Sequence, residues 1–223
     1  LEWNILVEGQ LGIMRDLRWG TYPNVTSSAL SLPAVTHGAG LPGNVEVNGI
    51  AVLKAYCSAV GAGFSPAYQT GDVDECLRKI GNEYGATTGR ARMCAWFDGV
   101  AATYSGLLGG YSGLAITKLD VLDTFETIRI CVAYKLDGVD ITEMPDPIDL
   151  ERAEPVWEDW EGWMTSTKNC RSWDELPEKA KAYLLRMSEL AGVPIQYVSV
   201  GPERPQMFAV SRDDLAQTPA AAK

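Results

Sequence analysis

The sequence holds a single histidine, His37, which excludes any metal site built on several imidazoles. Cysteine occurs five times, at positions 57, 76, 94, 131 and 170, with no Cys-x-x-Cys pair. An odd, widely spaced set argues against a disulfide framework or a zinc site and for a reducing cytoplasm. Positive charge is short as well. Nineteen Lys and Arg against 29 Asp and Glu give a net charge of −10, so no basic surplus exists for nucleic acid or an anionic membrane. No apolar run approaches membrane-spanning length, and no basic segment with a cleavable apolar stretch opens the chain. A Gly-x-x-x-x-Gly-Lys-[Ser/Thr] run is missing too. The first residue is Leu1 rather than Met, which is read as a hint of a cut from a longer polypeptide.

What is present fits one soluble globular unit. The 223 residues, 46% hydrophobic, are enough to bury a sizeable core, and 1–223 is expected to be a single portion of one domain. "WNILVEGQLG" reads as a buried strand running into a glycine turn. "EVNGIAVLKAYCSAVGAG" fits either a helix face or a strand, since its period does not decide. "GLAIT" and "TIRICVAYKLDG" read as strands, the second ending at Gly138. "LPEKAKAYLLRMSELAGVP" is the clearest helix: Pro177 suits its first turn, and Gly192 and Pro194 stop it. "PIQYVSVGPER" returns as a strand that breaks at Gly201-Pro202. Strands alternating with helices predict an α/β fold with a mostly parallel sheet flanked by helices. The Pro-, Trp- and acid-rich stretch 141–163 is expected to be a surface excursion, and 215–223 a frayed tail.

Three loops at apparent strand ends carry chemistry, which is where open α/β sheets bind ligands. "GATTGRARMCAWFD" (85–98) places two hydroxyls and two guanidiniums, Arg90 and Arg92, in one glycine-bounded loop. Such donors suit a carboxylate or phosphate, although a solvated loop with local ion pairs fits as well. In "TKLD" (117–120), Lys118 and Asp120 fall one residue apart and would point the same way along an extended segment. An aspartate there can accept from guanine N1–H and its 2-amino group, with the lysine stem covering the ring. A surface salt pair is the alternative. In "SVGP" (199–202), backbone N–H groups near Gly201 could reach a carbonyl or phosphate, or form a plain turn.

The runs "GTYPNVTSS", "KAYCSAVGAG", "GNEYGATTGRAR", "WFDGVA", "LAITKLDVLD", "ICVAYKLDG", "EPVWEDWEGW" and "GVPIQYVSVGPER", in that order, resemble the adenylosuccinate synthetase family over nearly the whole chain. The resemblance implies a P-loop-NTPase-like enzyme of purine biosynthesis whose N-terminal half is absent here. It implies a ligase that joins IMP and L-aspartate into adenylosuccinate, using GTP and magnesium. In that reaction GTP phosphorylates the purine 6-oxygen, and the aspartate amine then displaces phosphate. By the same resemblance, Ala86, Thr87, Thr88, Gly89, Arg90 and Arg92 would hold the aspartate carboxylates, and Thr26, Val60 and Arg90 would contact IMP. Arg92, Lys118, Leu119, Asp120, Ser199, Val200 and Gly201 would bind GTP, with Asp120 reading guanine. Trp96 and Phe97 would pack the element anchoring the loop. A homodimer is implied as well, or a partner that supplies the complementary N-terminal half.

The departures carry equal weight. The family's phosphate loop, catalytic aspartate and catalytic histidine have no counterpart in these residues, and His37 in "AVTHGAG" matches no catalytic histidine motif. Magnesium ligands are therefore expected on the absent half, and the chain alone is expected to be inactive. Where the family reads Glu-Gly-Ala-Gln-Gly, this chain reads "EGQLG", so Leu11 replaces a glutamine that stabilises the 6-oxyanion, with Gln10 adjacent. A related phage-type ligase acting on (d)GMP stays open as an alternative. So do a non-catalytic guanine-nucleotide binding module and, resting on TKLD alone, a guanine-nucleotide switch.

Overall fold

The computed structural model describes residues 4–61, 65–68 and 71–217. Its strands are β1 (Ile50–Lys54), β2 (Cys57–Ala59), β3 (Met93–Ala95), β4 (Phe97–Asp98), β5 (Gly113–Thr117), β6 (Thr127–Leu136), β7 (Val139–Ile141), β8 (Glu154–Glu161), β9 (Ile195–Ser199) and β10 (Met207–Ala209). Its helices are α1 (Ala34–Gly38), α2 (Asp72–Gly81), α3 (Gly99–Gly109), α4 (Pro147–Leu150), α5 (Glu178–Ala191) and α6 (Arg212–Gln217).

"GLAIT" has no charged residue to place in water, and four of its five positions are buried. Such a strand belongs inside a sheet with both faces covered. β5 accordingly lies between β1 and β9, parallel to both, and β10 closes the far edge antiparallel to β9. A second sheet is built on β6, the ten-residue strand. β8 runs antiparallel along one side of it, while β4 (parallel) and β7 (antiparallel) share the other. β2 and β3 form a separate antiparallel pair. The fold is mixed α/β, with a parallel sheet flanked by helices.

α5 follows its pattern: Ala180, Tyr183, Leu184 and Met187 are buried, Pro177 stands at its N-cap and Gly192 ends it in the left-handed conformation. α3 starts at Asp98, whose carboxylate accepts from the Ala101 N–H at 3.0 Å and so caps the helix. α3 packs on α5 so closely that only glycine fits at 106, where a Cβ would collide with the Ala191 carbonyl oxygen. Trp96 and Phe97 are buried, and Trp96 meets Phe125 edge to face at 5.2 Å.

Three expectations change. Residues 4–10 form no strand and are exposed, Leu6 at 97%. The apolar pattern is strand-like, but among the described residues no neighbour pairs with it, and an unpaired strand leaves its backbone unsatisfied. The stretch 141–163 is only partly a surface excursion. Its 154–161 portion is β8, whose Trp157 and Trp160 pack against the core while alternate acids face water. Of the expected tail, 215–217 belong to α6, and 218–223 lie outside the described residues. Among the described residues, no helix is long and apolar enough to cross a membrane.

Candidate functional site

Because β1, β5 and β9 are parallel and adjacent, their C-terminal ends open on one edge of the sheet. Lys54 ends β1 opposite Thr117, Lys118 follows β5, and Ser199 ends β9. The edge therefore gathers two cations and a hydroxyl before any loop is added.

The loop that follows α2 supplies the rest. α2 stops at Asn82, left-handed at φ 51°, and Glu83 turns inward. From there the chain makes a small hairpin: Tyr84 bridges Ala91, the Gly85 N–H donates to the Arg90 carbonyl at 2.8 Å, and Gly89 sits at φ +65°. A left-handed residue at the turn is what glycine permits at low cost. Ala86, Thr87, Thr88, Gly89 and Arg90 are all exposed on this hairpin. Arg92 is half-buried, and its Nη1 donates to Glu83 Oε2 at 2.9 Å. Its Nε is buried with no hydrogen-bond partner.

The Glu83 side chain is fully buried. Its carboxylate also accepts from Lys54 Nζ at 2.8 Å, Tyr56 OH at 2.6 Å and Ser58 Oγ at 3.1 Å, and Lys118 Nζ lies 3.7 Å away. Burial alone would raise its carboxyl. The donors Lys54 and Tyr56 and the charges of Lys54 and Lys118 overcome that and bring it down to about 2. The same burial pushes Lys54 down, opposed by Glu83. Three cations thus surround one carboxylate, an arrangement with positive charge to spare for an anionic ligand.

The TKLD loop is not extended as expected. Lys118 adopts a left-handed conformation (φ 61°), and Leu119–Leu122 forms a 3₁₀ turn. The buried Leu119, Val121 and Leu122 impose that turn by sinking into the core. Lys118 reaches back to the Gly81 carbonyl at the end of α2. Asp120 is half-buried, and burial pushes its carboxyl upward against the pull of Lys168 and Lys118. In the third loop, Ser199 Oγ donates to the Gly201 carbonyl at 2.9 Å, and the Val200 N–H donates to the Gln206 carbonyl. Ser199 and Gly201 line a cleft of about 340 Å³ with Pro202, Glu203, Arg204 and Met207.

Thr26 and Val60 meet at a second cleft, of about 350 Å³, lined also by Leu11, Arg15, Pro23 and Asn24. Arg15 is fixed there by the Asn24 carbonyl at 2.5 Å. Leu11 faces this cleft, whereas Gln10 donates to Ser28 Oγ at 3.3 Å and is not part of the lining. Arg90 and Arg92 take different roles: the first is exposed on the hairpin, the second is anchored on Glu83.

Sequence reading assigned no role to Lys54, Tyr56, Ser58 and Glu83. The first three alternate at spacing two along one segment, so a polar face of period two was the available signal. Among the described residues no group of three or more His, Cys, Asp or Glu could hold a metal ion.

The fold and this edge define an α/β protein with Lys54, Lys118 and Arg92 gathered around a buried carboxylate at the C-terminal ends of parallel strands. The family model for adenylosuccinate synthetase matches residues 2–208, and the chain belongs to that family, whose members are ligases of purine biosynthesis. It is 45% identical to the adenylosuccinate synthetase of Schizosaccharomyces japonicus over 205 residues, covering 92% of this chain and 47% of the relative. Identity to the Trichlorobacter lovleyi synthetase is 42% over 207 residues, covering 92% and 48%. A solved, fully ligated synthetase from Plasmodium falciparum superposes with TM-score 0.87 at 35% identity, covering 92% of this chain and 49% of that one. The succinoaminodeoxyadenylate synthetase of cyanophage S-2L, solved with dGMP and dATP, shares the fold at TM-score 0.55 and 12% identity, covering 93% and 47%. The chain spans about half the length of the curated relatives it matches.

Proposed function

We propose that this chain carries the aspartate loop and the guanine pocket of a ligase that joins IMP and L-aspartate into adenylosuccinate at the expense of GTP. The observation that carries the reading is the Glu83 cluster, which ties Arg92 of the 85–92 hairpin to Lys118 of the TKLD loop on one sheet edge. Arg90 and the Thr87 and Thr88 hydroxyls, exposed on the hairpin, receive the aspartate carboxylates, with Ala86 and Gly89 shaping its backbone. Arg92 bridges toward the GTP ribose. Asp120 accepts from guanine, Lys118 and Leu119 border the base, and Ser199, Val200 and Gly201 close that pocket. Thr26 and Val60 line the cleft for IMP phosphate and ribose, completed by Arg90. These residues bind and orient. The resemblance implies that the acid–base groups and the magnesium ligands lie outside these residues, and in this reading the chain alone is inactive. The working protein is a cytoplasmic homodimer, and the five cysteines, all free, suit that compartment.

Leu11 favours a second reading. A leucine lining the cleft proposed for the nucleotide, where the resemblance puts a glutamine, marks a changed purine side of the site, and a ligase acting on (d)GMP is that second reading. The 35–45% identities to adenylosuccinate synthetases, against 12% to the phage enzyme, support IMP. The full-length gene product, given IMP labelled with ¹⁸O at the 6-position, is expected to release phosphate carrying that oxygen. Unlabelled phosphate, or turnover only with dGMP, would contradict the IMP reading.

A further inference from the structure

Four donors, Lys54, Tyr56, Ser58 and Arg92, hydrogen-bond the Glu83 carboxylate, which offers about four lone-pair sites, and Lys118 stands 3.7 Å away as a fifth, ionic neighbour. The carboxylate itself is fully buried while Lys54, Arg92 and Lys118 are partly exposed, so a cation that moves outward leaves its share of a buried charge to the others. The residue also grips the hairpin through its backbone: the Arg92 N–H donates to the Glu83 carbonyl at 3.0 Å, and the Glu83 N–H donates to the Arg78 carbonyl at 2.9 Å. On the other side, Lys118 is held both by this carboxylate and by the Gly81 carbonyl, two residues before Glu83. Lys54, Tyr56 and Ser58 form a fixed wall, because Lys54 ends a paired strand, Tyr56 is buried and Ser58 lies in β2.

We propose that Glu83 is a positioning residue that makes Arg92 and Lys118 one mechanical unit, so that the guanine pocket and the aspartate loop respond to each other's ligands. It touches no substrate. A ligand that draws Lys118 outward removes one cation from the carboxylate, and Arg92 takes a larger share of it. An aspartate that engages Arg92, whose Nε is unpartnered, does the reverse. Coupling of this kind is reciprocal by thermodynamic necessity.

The inference rests on the proposed function, and a double-mutant cycle separates the two. In the full-length gene product, Lys118→Met is expected to raise the KM for GTP and, at saturating GTP, the KM for aspartate by roughly threefold or more. In a Glu83→Gln background the aspartate KM should no longer respond to Lys118→Met. An aspartate KM indifferent to Lys118→Met in the parent, or a response that persists without the carboxylate, overturns the inference. Tyr56→Phe keeps every charge and guards against a Glu83 variant that does not fold. It should raise both KM values together at nearly constant kcat, and a change confined to thermal stability overturns the inference. A parent that never consumes aspartate overturns the proposed function itself, and the inference with it.

Discussion

Arg92 and Glu83 are joined twice, by backbone N–H to carbonyl at 3.0 Å and by guanidinium Nη1 to carboxylate Oε2 at 2.9 Å. Nine residues apart, they close the hairpin that presents Thr87, Thr88 and Arg90 to solvent. One end of the hairpin is thus rigid and buried while its tip is accessible, a geometry suited to a loop that receives a small charged ligand.

The buried carboxylate makes stability depend on acid. Glu83 is depressed from 4.5 to about 2 in the folded state. Its stabilisation is therefore complete above the unfolded value and fades as pH falls toward 2, by about 2 kcal/mol at pH 3. Urea unfolding of the full-length protein at pH 5 and pH 3 should show the parent losing more stability than Glu83→Gln. Equal losses would remove Glu83 from the acid response.

Asp120→Asn turns an acceptor pair into one donor and one acceptor. Nucleotide preference should move from GTP toward XTP, by roughly 10-fold or more in the ratio of kcat/KM values. An unchanged ratio would take Asp120 out of the base pocket.

Arg90→Lys replaces a forked donor by a point charge at an exposed position. Stability should stay within about 0.5 kcal/mol. The KM for aspartate should rise by an order of magnitude or so, the loss expected when about 1.4 kcal/mol of charge-assisted bonding goes. Steady-state kinetics beside a thermal melt would separate the two effects, and an unaltered KM would return the loop to a solvated role.

Leu11→Gln places a donor at the nucleotide cleft without altering its backbone. If IMP is the substrate and the missing donor limits the chemistry, kcat should rise by roughly 10²-fold. No rise would mean that another group serves the 6-oxyanion.

Gly106→Ala should cost about 1–3 kcal/mol through its collision with the Ala191 carbonyl, with the KM values unchanged. Denaturant midpoints and kinetics on one preparation would show both.

Local signals were legible where neighbours in sequence decide the outcome. Pro177 and Gly192 bounded α5, and "TIRICVAYKL" paired as its alternation required. Residues 4–10 misled because a strand needs a partner that no local pattern supplies. β8 was hidden by its acids, which are the water-facing half of a strand with one side covered. The Glu83 cluster was illegible for a different reason: residues 54, 56, 58, 92 and 118 meet only after β1 pairs with β5 and β2 with β3. The loop's arginines looked alike in sequence, yet burial separates Arg92 from Arg90.

The most direct measurement is product formation by the full-length gene product with IMP, L-aspartate, GTP and magnesium, each omitted in turn and GTP exchanged for ATP. The account predicts adenylosuccinate only when all four are present, strong preference for GTP, and product below detection in Arg90→Ala. Turnover without aspartate, or equal use of ATP and GTP, would contradict it.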